Sequence, residues 1–335
     1  MSVFTRFDRQ NDVVENQKVK VSSGIFSGGS GTLTTFFTSS TQPSTGSFLH
    51  IYHQDPQTNA STAEIQFDVG YANFNGSGSA GNTTKLITGG RESAANYRQF
   101  ANVLLAPQTE KFTFTSAPSA SDDFYFVAFN RARMREKIDP GNWELRLGDF
   151  KYIDDSGATN NPTVNEGGRV FNIVSGSLET GVGVIKTAAA SQTGGAIGSF
   201  YPDLGILIFN ASQLDSHGGF STGRSADAFD NNPEKIFDKL VAAAYFQVRR
   251  EEDISSTNFF CRVLNRDYNF SANPTFFTGS DGALTQATFF KDPKVFITQV
   301  GLYNDENELL AVAKLSKPIL KSYSREAIIK VKLDF

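Results

Sequence analysis

The sequence predicts a mainly β fold of the α+β kind, with an antiparallel β-sandwich core, a β-rich insertion and about two short helices. Several stretches alternate apolar and polar residues with the period of two that is typical of strands. The 31 Phe and 29 Gly, with many Asn, Ser and Thr, favour sheets and turns over long helices. Two segments show apolar residues at helical spacing.

The clearest strand signals lie at the C-terminal end. Residues 295–303 alternate, and the turn-forming residues 304–307 predict that residues 308–315 fold back antiparallel on them. Pro318 cannot donate to a ladder, so it is expected to end the second strand or to mark an edge. In residues 329–335 the apolar side chains share one face and the charged ones the other, which predicts a final strand buried on one side.

The first half of the chain alternates strands with one helix. Its predicted strands span residues 48–52, 63–71, 111–115, 124–130 and 143–147. Between them, apolar residues from Tyr97 to Leu105 recur at helical spacing. Ser93 is a suitable N-cap and Pro107 stops the helix from continuing.

The second half has short apolar runs at 170–174, 183–185 and 204–209. Pro233 opens a second predicted helix with a buried stripe from Ile236 to Ala244. Arg249 and Arg250 are expected near its carboxyl end, where the helix dipole favours cations. A strand is expected at 259–264.

These elements predict four segments. Residues 1–24 are expected to form an extended N-terminal arm, and residues 25–149 the first half of a β-rich core domain. Residues 150–230, richer in Gly, Ser, Asn and Asp, are expected to form a β insertion. Residues 231–335 would complete the core with the C-terminal hairpin and final strand.

Two regions also carry a family resemblance. The run VGLYNDENELLAVAKLSKP, closed by IKVKLDF, resembles the C-terminal module of virion proteins from contractile-tailed phages, especially T-even-like cyanophages. In the first half, AEIQFDVGYANFNGSGS, NYRQFANVLL and FYFVAFNRARMREKIDPGNWEL resemble the same proteins in the same order. Together the similar regions cover about 200 residues. The baseplate wedge subunits are the family that the chain resembles most.

The resemblance implies a structural protein of the virion, assembled in the host cytoplasm into a phage tail. It implies a homodimer or several symmetric copies, with other tail, baseplate or fibre proteins as partners. A neck, sheath-terminating or fibre-attachment protein with the same hairpin is the first alternative. A carbohydrate-binding or depolymerising tail protein is the second, which would need exposed aromatic residues and converging carboxylates in a groove.

The composition argues against two classes of partner, nucleic acid and membrane. With 31 basic and 35 acidic residues, the net charge is −4 and no long run has one sign. Nucleic acid is not expected as a partner, because phosphate binding needs a concentrated basic patch. No stretch has the length and apolarity of a membrane span, so no membrane partner is expected either. The single cysteine, Cys261, lies among apolar neighbours and is expected to be an inert core thiol.

No motif predicts catalysis, a metal or a cofactor. His50 and His53 are three residues apart, so on one strand they would face opposite sides, which suits chelation poorly. The GGSG and GSGSAG clusters lack the Lys-Ser/Thr ending and the βαβ setting of a phosphate loop. Adjacent carboxylates such as Asp122 and Asp123 would face different directions on a strand. We therefore expect a protein that is not an enzyme.

Two groups of residues are candidates for an interface. Arg131, Arg133, Arg135 and Lys137 have a period of two, so on a strand they would form a basic stripe. That stripe would either guard a solvated edge or contact an acidic neighbour. The aromatic residues Phe270, Phe276, Phe277 and Tyr303 are core residues if buried and interface anchors if exposed.

Overall fold

The computed structural model describes residues 4–39, 48–78, 92–114, 117–157, 162–178, 196–224, 231–279 and 281–334. The fold is mainly β, with a large antiparallel sheet and few helices, which confirms the predicted class. Three parts of the predicted strands, Thr115, residues 183–185 and Phe335, lie outside the described residues.

The strands are β1 (Val13–Gly24), β2 (Thr32–Leu33), β3 (Phe48–Tyr52), β4 (Ile65–Asn73), β5 (Phe112–Phe114), β6 (Ala117–Ser121), β7 (Asp123–Phe129), β8 (Lys137–Leu147), β9 (Phe150–Asp154), β10 (Thr163–Asn165), β11 (Gly168–Ser175), β12 (Gly198–Tyr201), β13 (Ile206–Asn210), β14 (Phe246–Val263), β15 (Phe277–Thr278), β16 (Ala283–Leu284), β17 (Val295–Tyr303), β18 (Leu309–Lys321) and β19 (Ala327–Asp334). The α-helices within the described residues are α1 (Glu92–Leu104), α2 (Arg131–Met134), α3 (Ala211–His217) and α4 (Asn232–Ala243).

The chain forms two compact units. The large unit is Lys20–Glu252, and the small unit combines Met1–Val19 with Asp253–Phe335. Both ends of the chain therefore belong to the small unit, and β1 and β14 each continue in sequence from one unit into the other.

The large unit is built on an antiparallel sheet whose two ends are bridged. Its strands follow the order β14, β8, β9, β11, β12, β13, β7, β4 and β3. At one end, Leu33 of β2 pairs with Phe246 of β14, and four residues later Phe37 bridges to Tyr52 of β3 at the other end. The short segment 32–37 thus spans the gap, so the sheet closes around an interior.

Alternation along the strands gives the sheet two buried faces. On β7, Tyr125, Val127 and Phe129 belong to the inner core, while Phe124 and Phe126 belong to a second apolar cluster on the outer face. The neighbouring strands β4 and β13 divide their side chains in the same way. This explains why β7 and β13, DFYFVAF and ILIFN, are almost continuously apolar in the sequence.

Helices cover both faces of this sheet. Tyr97 and Leu104 of α1 are buried in the outer cluster, as the predicted helical spacing requires. Ile236 and Leu240 of α4 pack into the inner core. Helix α3 begins where the Asn210 side chain accepts hydrogen bonds from the backbone N–H groups of residues 212 and 213.

The small unit is a sandwich of two antiparallel sheets. In one sheet β14 pairs with β19, and in the other β17 pairs with β18. Leu302 of the hairpin and Ile329 and Val331 of β19 are buried together, with Phe259 and Cys261 of β14 packed beside them. The final strand is buried on one side, as predicted, and its ladder partner is β14.

Three parts of the fold differ from the expectations. The strands within residues 150–230 occupy the middle of the large unit's sheet, because β9, β11, β12 and β13 carry the ladder from β8 to β7, so they are not an insertion outside the core. Half of the predicted N-terminal arm, residues 13–24, is strand β1, which pairs with β14. Arg249 and Arg250 lie in β14, because α4 ends at Ala243 and Ala244 has a φ of 47°.

Candidate interaction surface of the small unit

The hairpin of β17 and β18 has one packed face and one open face. Its ladder runs from Val295 opposite Lys321 to Tyr303 opposite Leu309, with shifts in register on the way. Pro318 lies in the stretch of β18 that the register shift near Ile297 leaves out of the ladder, so it interrupts the pairing without ending the strand.

Apolar side chains near the hairpin turn are exposed on the open face. Val312 is paired with Gly301, and the side chains of Tyr303 and Leu309 lie within about 3 Å of where a Cβ on Gly301 would stand. Leu310 at the adjacent bulge is 68% exposed. We call Tyr303, Leu309, Leu310 and Val312 the hairpin patch. Apolar side chains grouped on a surface in this way are typical of a binding site.

The N-terminal segment contacts this patch. The Phe4 ring lies 4.8 Å from the Tyr303 ring, centroid to centroid, and the Thr5 hydroxyl is 2.9 Å from the Tyr268 hydroxyl. Farther along, Phe7 packs against Phe259 of β14 at 5.5 Å. The start of the chain therefore lies along the small unit through aromatic contacts, and Phe4 itself remains partly exposed.

The three candidate phenylalanines that lie in the loop after β14, Phe270, Phe276 and Phe277, divide into core and surface. Phe276 is buried and its ring stacks on Phe289 at 5.2 Å. Phe270 contacts both Phe276 and Phe277, yet 65% of it is exposed. Of the three predicted residues in this loop, Phe270 is the one placed to meet a partner.

A buried lysine holds the chain next to this loop. Lys321, at the end of β18, is fully buried, and its ammonium donates to the Asn265 carbonyl at 2.8 Å and to Asn269 Oδ1 at 3.0 Å. A third bond, to the Ser322 carbonyl, uses the remaining donor. Burial lowers the pKa of Lys321, since the site disfavours the charged form. The lysine thus fixes residues 265–269 to the base of the hairpin.

The basic run does not form a stripe on a strand, which corrects the prediction. Arg131 and Arg133 lie in α2, capped by Asn130, and Arg135 follows with a φ of 61°. Lys137 is the first residue of β8. The capping asparagine nucleates a helical turn where the alternation of charges resembled a strand.

Each member of the run has a partner inside the large unit. Arg133 forms an ion pair with Glu64, Arg135 pairs with Glu252 at 3.2 Å, and Arg131 donates to the carbonyl of residue 203. Lys137 lies 3.3 Å from Glu251. Burial tends to raise the pKa of Glu251, but Lys137 and Lys20 outweigh it and hold that pKa below its ordinary value. The run therefore contributes to internal ion pairs.

A buried polar network links Asp123 to its surroundings. Its carboxylate accepts from Tyr71 Oη at 2.9 Å and from Arg224 Nε at 2.5 Å, and Arg224 also binds Asp215. Burial raises the pKa of Asp123, although the guanidinium of Arg224 opposes the shift. Because donors from two parts of the chain occupy this carboxylate, we interpret its role as structural. Its sequence neighbour Asp122 instead pairs with Lys111 at 2.5 Å.

The histidines also have internal partners. His50 Nδ1 lies 2.6 Å from Asp68 across the ladder of β3 and β4, and His53 lies 3.4 Å from Gln66 Nε2. Across the described ranges no group of three His, Cys, Asp or Glu side chains is arranged to hold a metal. An open groove is lined by Gln286–Asp292 and Lys294, all from a single segment, so side chains from separate elements do not converge there.

Comparison of the chain with protein-family models, with curated proteins and with solved structures finds no match. Among the helices that the structure describes, none combines the length and apolarity that crossing a bilayer requires.

Sequence reasoning found part of this surface. Tyr303 and Phe270 are exposed, as an interface role requires, whereas Phe276 belongs to the core. Leu309, Leu310 and Val312 were missed because an apolar run in a strand ordinarily indicates burial. The run LLAVA pairs with a strand that has only one packed face, and only the structure shows this. Lys321 gave no signal, because its burial depends on loop residues distant in sequence.

Proposed function

We propose that this protein is a structural component of a contractile phage tail, most specifically a baseplate wedge subunit, without enzymatic activity. Its role is to join neighbouring baseplate or fibre proteins, or further copies of itself, through protein–protein contacts. The observation that carries the proposal is the hairpin patch. Covering grouped apolar side chains with another protein removes them from water, which favours association at this patch.

The location of the patch supports this proposal. It lies within the VGLYNDENELLAVAKLSKP run, one of the two stretches whose resemblance to the tail proteins is most specific. The packing of β17 and β18 on β14 and β19 gives the patch a fixed backbone, so little ordering is required on binding. The paired states of Asp123, His50 and the basic run likewise favour an assembly role over chemistry.

Labelling of intact virions tests the assignment. An antibody against the small unit is expected to bind at the distal end of the tail in negatively stained particles. Label at the head-proximal end would assign the protein to the neck instead. If the protein is absent from purified virions, the structural assignment fails.

A pair of substitutions tests the role of the patch. In a phage complemented with the Leu310→Asp variant, incorporation into particles is expected to fall at least about tenfold, because a charge replaces an apolar anchor. Val164→Asp, at a residue that is 72% exposed in the large unit, is the matched control and should incorporate normally. Equal incorporation of the two variants would show that the patch has no role in assembly.

A further inference from the structure

One edge of the hairpin is open. Within the described residues β17 pairs with β18 alone, and no other backbone hydrogen bond joins Val295–Tyr303 to the rest of the chain. Half of the backbone N–H and C=O groups of this nine-residue strand therefore point away from the ladder. Such a row of groups is a template for a further strand.

The strand at this edge lacks the features that normally prevent pairing. The sequence of β17, VFITQVGLY, has no charged residue and no proline. By contrast, β19 carries Lys330 and Lys332, and β18 carries Lys314, Lys317 and Pro318. Charges and prolines of this kind guard exposed edges in natural sheets. In this sandwich β17 is the strand left unguarded.

The residues flanking β17 indicate what pairs with it. Lys291 and Lys294 precede the strand, with Asp292 between them, and Asp305 and Glu306 follow it; all are exposed. The segment that enters β17 is thus net positive and the segment that leaves it is negative, with ten neutral residues, 295–304, between Lys294 and Asp305. Two such strands placed antiparallel bring the basic entry of each beside the acidic exit of the other. A parallel arrangement would instead place like charges together.

From this we propose that β17 pairs with β17 of a second copy of this chain, antiparallel and about a twofold axis. The register that pairs all nine residues places Gln299 opposite Gln299 and Val295 opposite Tyr303. The pairing joins two hairpins into a four-stranded sheet in the order β18, β17, β17 and β18. Lys294 of each copy then lies next to the turn that holds Asp305 and Glu306 of the other. This inference is independent of the tail assignment.

Charge reversal tests the pairing. Sedimentation velocity of the full chain, from about 1 to about 200 µM, is expected to show a dimer that Lys294→Glu weakens at least about tenfold. Adding Asp305→Lys and Glu306→Lys to that variant should restore the dimer. Lys317→Glu makes the same charge change on β18 and should leave the dimer intact. Circular dichroism and thermal melting should show that all variants are folded.

Crosslinking tests the register. In a Cys261→Ser background, Gln299→Cys is expected to form a disulfide-linked dimer on mild oxidation, because the two Gln299 side chains face each other across the axis. Lys317→Cys in the same background should remain monomeric on denaturing gels. A wild-type protein that stays monomeric throughout the concentration range would overturn the proposal. So would a dimer that Lys294→Glu leaves unchanged.

Discussion

The closure of the large unit's sheet predicts a large cost for one core substitution, Phe246→Ala. Phe246 lies on β14 at one end of the sheet and is fully buried. Its ring lies 5.2 Å from Phe67 on β4 and 5.6 Å from Phe129 on β7, near the other end. Phe26 completes the contact at 5.9 Å. The side chain therefore joins strands that are distant along the ladder.

The cost follows from two contributions. In the variant, unfolding no longer exposes a phenyl group to water. About 2 kcal/mol of hydrophobic stabilisation is therefore lost. A residual cavity of about 80 Å³, at about 24 cal/mol per Å³, adds about 2 kcal/mol. We expect Phe246→Ala to lower the free energy of unfolding of the large unit by about 4 kcal/mol. Phe150→Ala, at an exposed phenylalanine on β9, should cost less than about 1 kcal/mol.

The assay is urea denaturation followed by tryptophan fluorescence. Trp143 is the single tryptophan of the sequence and is buried in the large unit, so its emission reports on that unit. The midpoint should fall while the dependence on urea stays the same. A cost below about 1.5 kcal/mol, or one equal to that of Phe150→Ala, would refute the packing of the two sheet ends against each other.

Three further predictions concern ionisation, the buried lysine and the final strand. Burial raises the pKa of Tyr97 from 10.0 to about 12, so its contribution to stability is complete below pH 10 and lost between pH 10 and about 12. Tyr97→Phe should therefore flatten the fall in unfolding free energy over that range. An unchanged slope would contradict this expectation. Lys321→Met leaves three oxygens without their donor, the Ser322 carbonyl among them in a buried site, and should destabilise the small unit by about 2 kcal/mol, with faster amide exchange in residues 265–269. Unchanged exchange there would count against the anchoring role. Val331 is 6% exposed, so Val331→Asp should unfold the small unit or lower its melting temperature strongly. Ile328 is 69% exposed, so Ile328→Asp should have no such effect. Similar melting curves for the two variants would refute the one-sided burial of β19.

The secondary structure of the C-terminal segment was predictable because it depends on local pattern. The alternation in residues 295–303 and 329–334 corresponds to β17 and β19, and the turn after Tyr303 joins the hairpin. The helices α1 and α4 were predicted for the same reason, since each has an apolar stripe at helical spacing. The short helices α2 and α3 were missed, because a turn of helix capped by asparagine has too few residues to show a period.

The sequence by itself determined the strands of the C-terminal segment and that the final strand has one buried face, because a period of two is a property of neighbouring residues. Only the tertiary structure decided which strands pair. The ladder that places β9 to β13 inside the large sheet, and the pairing of β19 with β14, join residues far apart in sequence. The same holds for the open face of the hairpin. An apolar strand has no local signal that says which of its faces is covered, since that depends on how many sheets pack against it, and here a single sheet does.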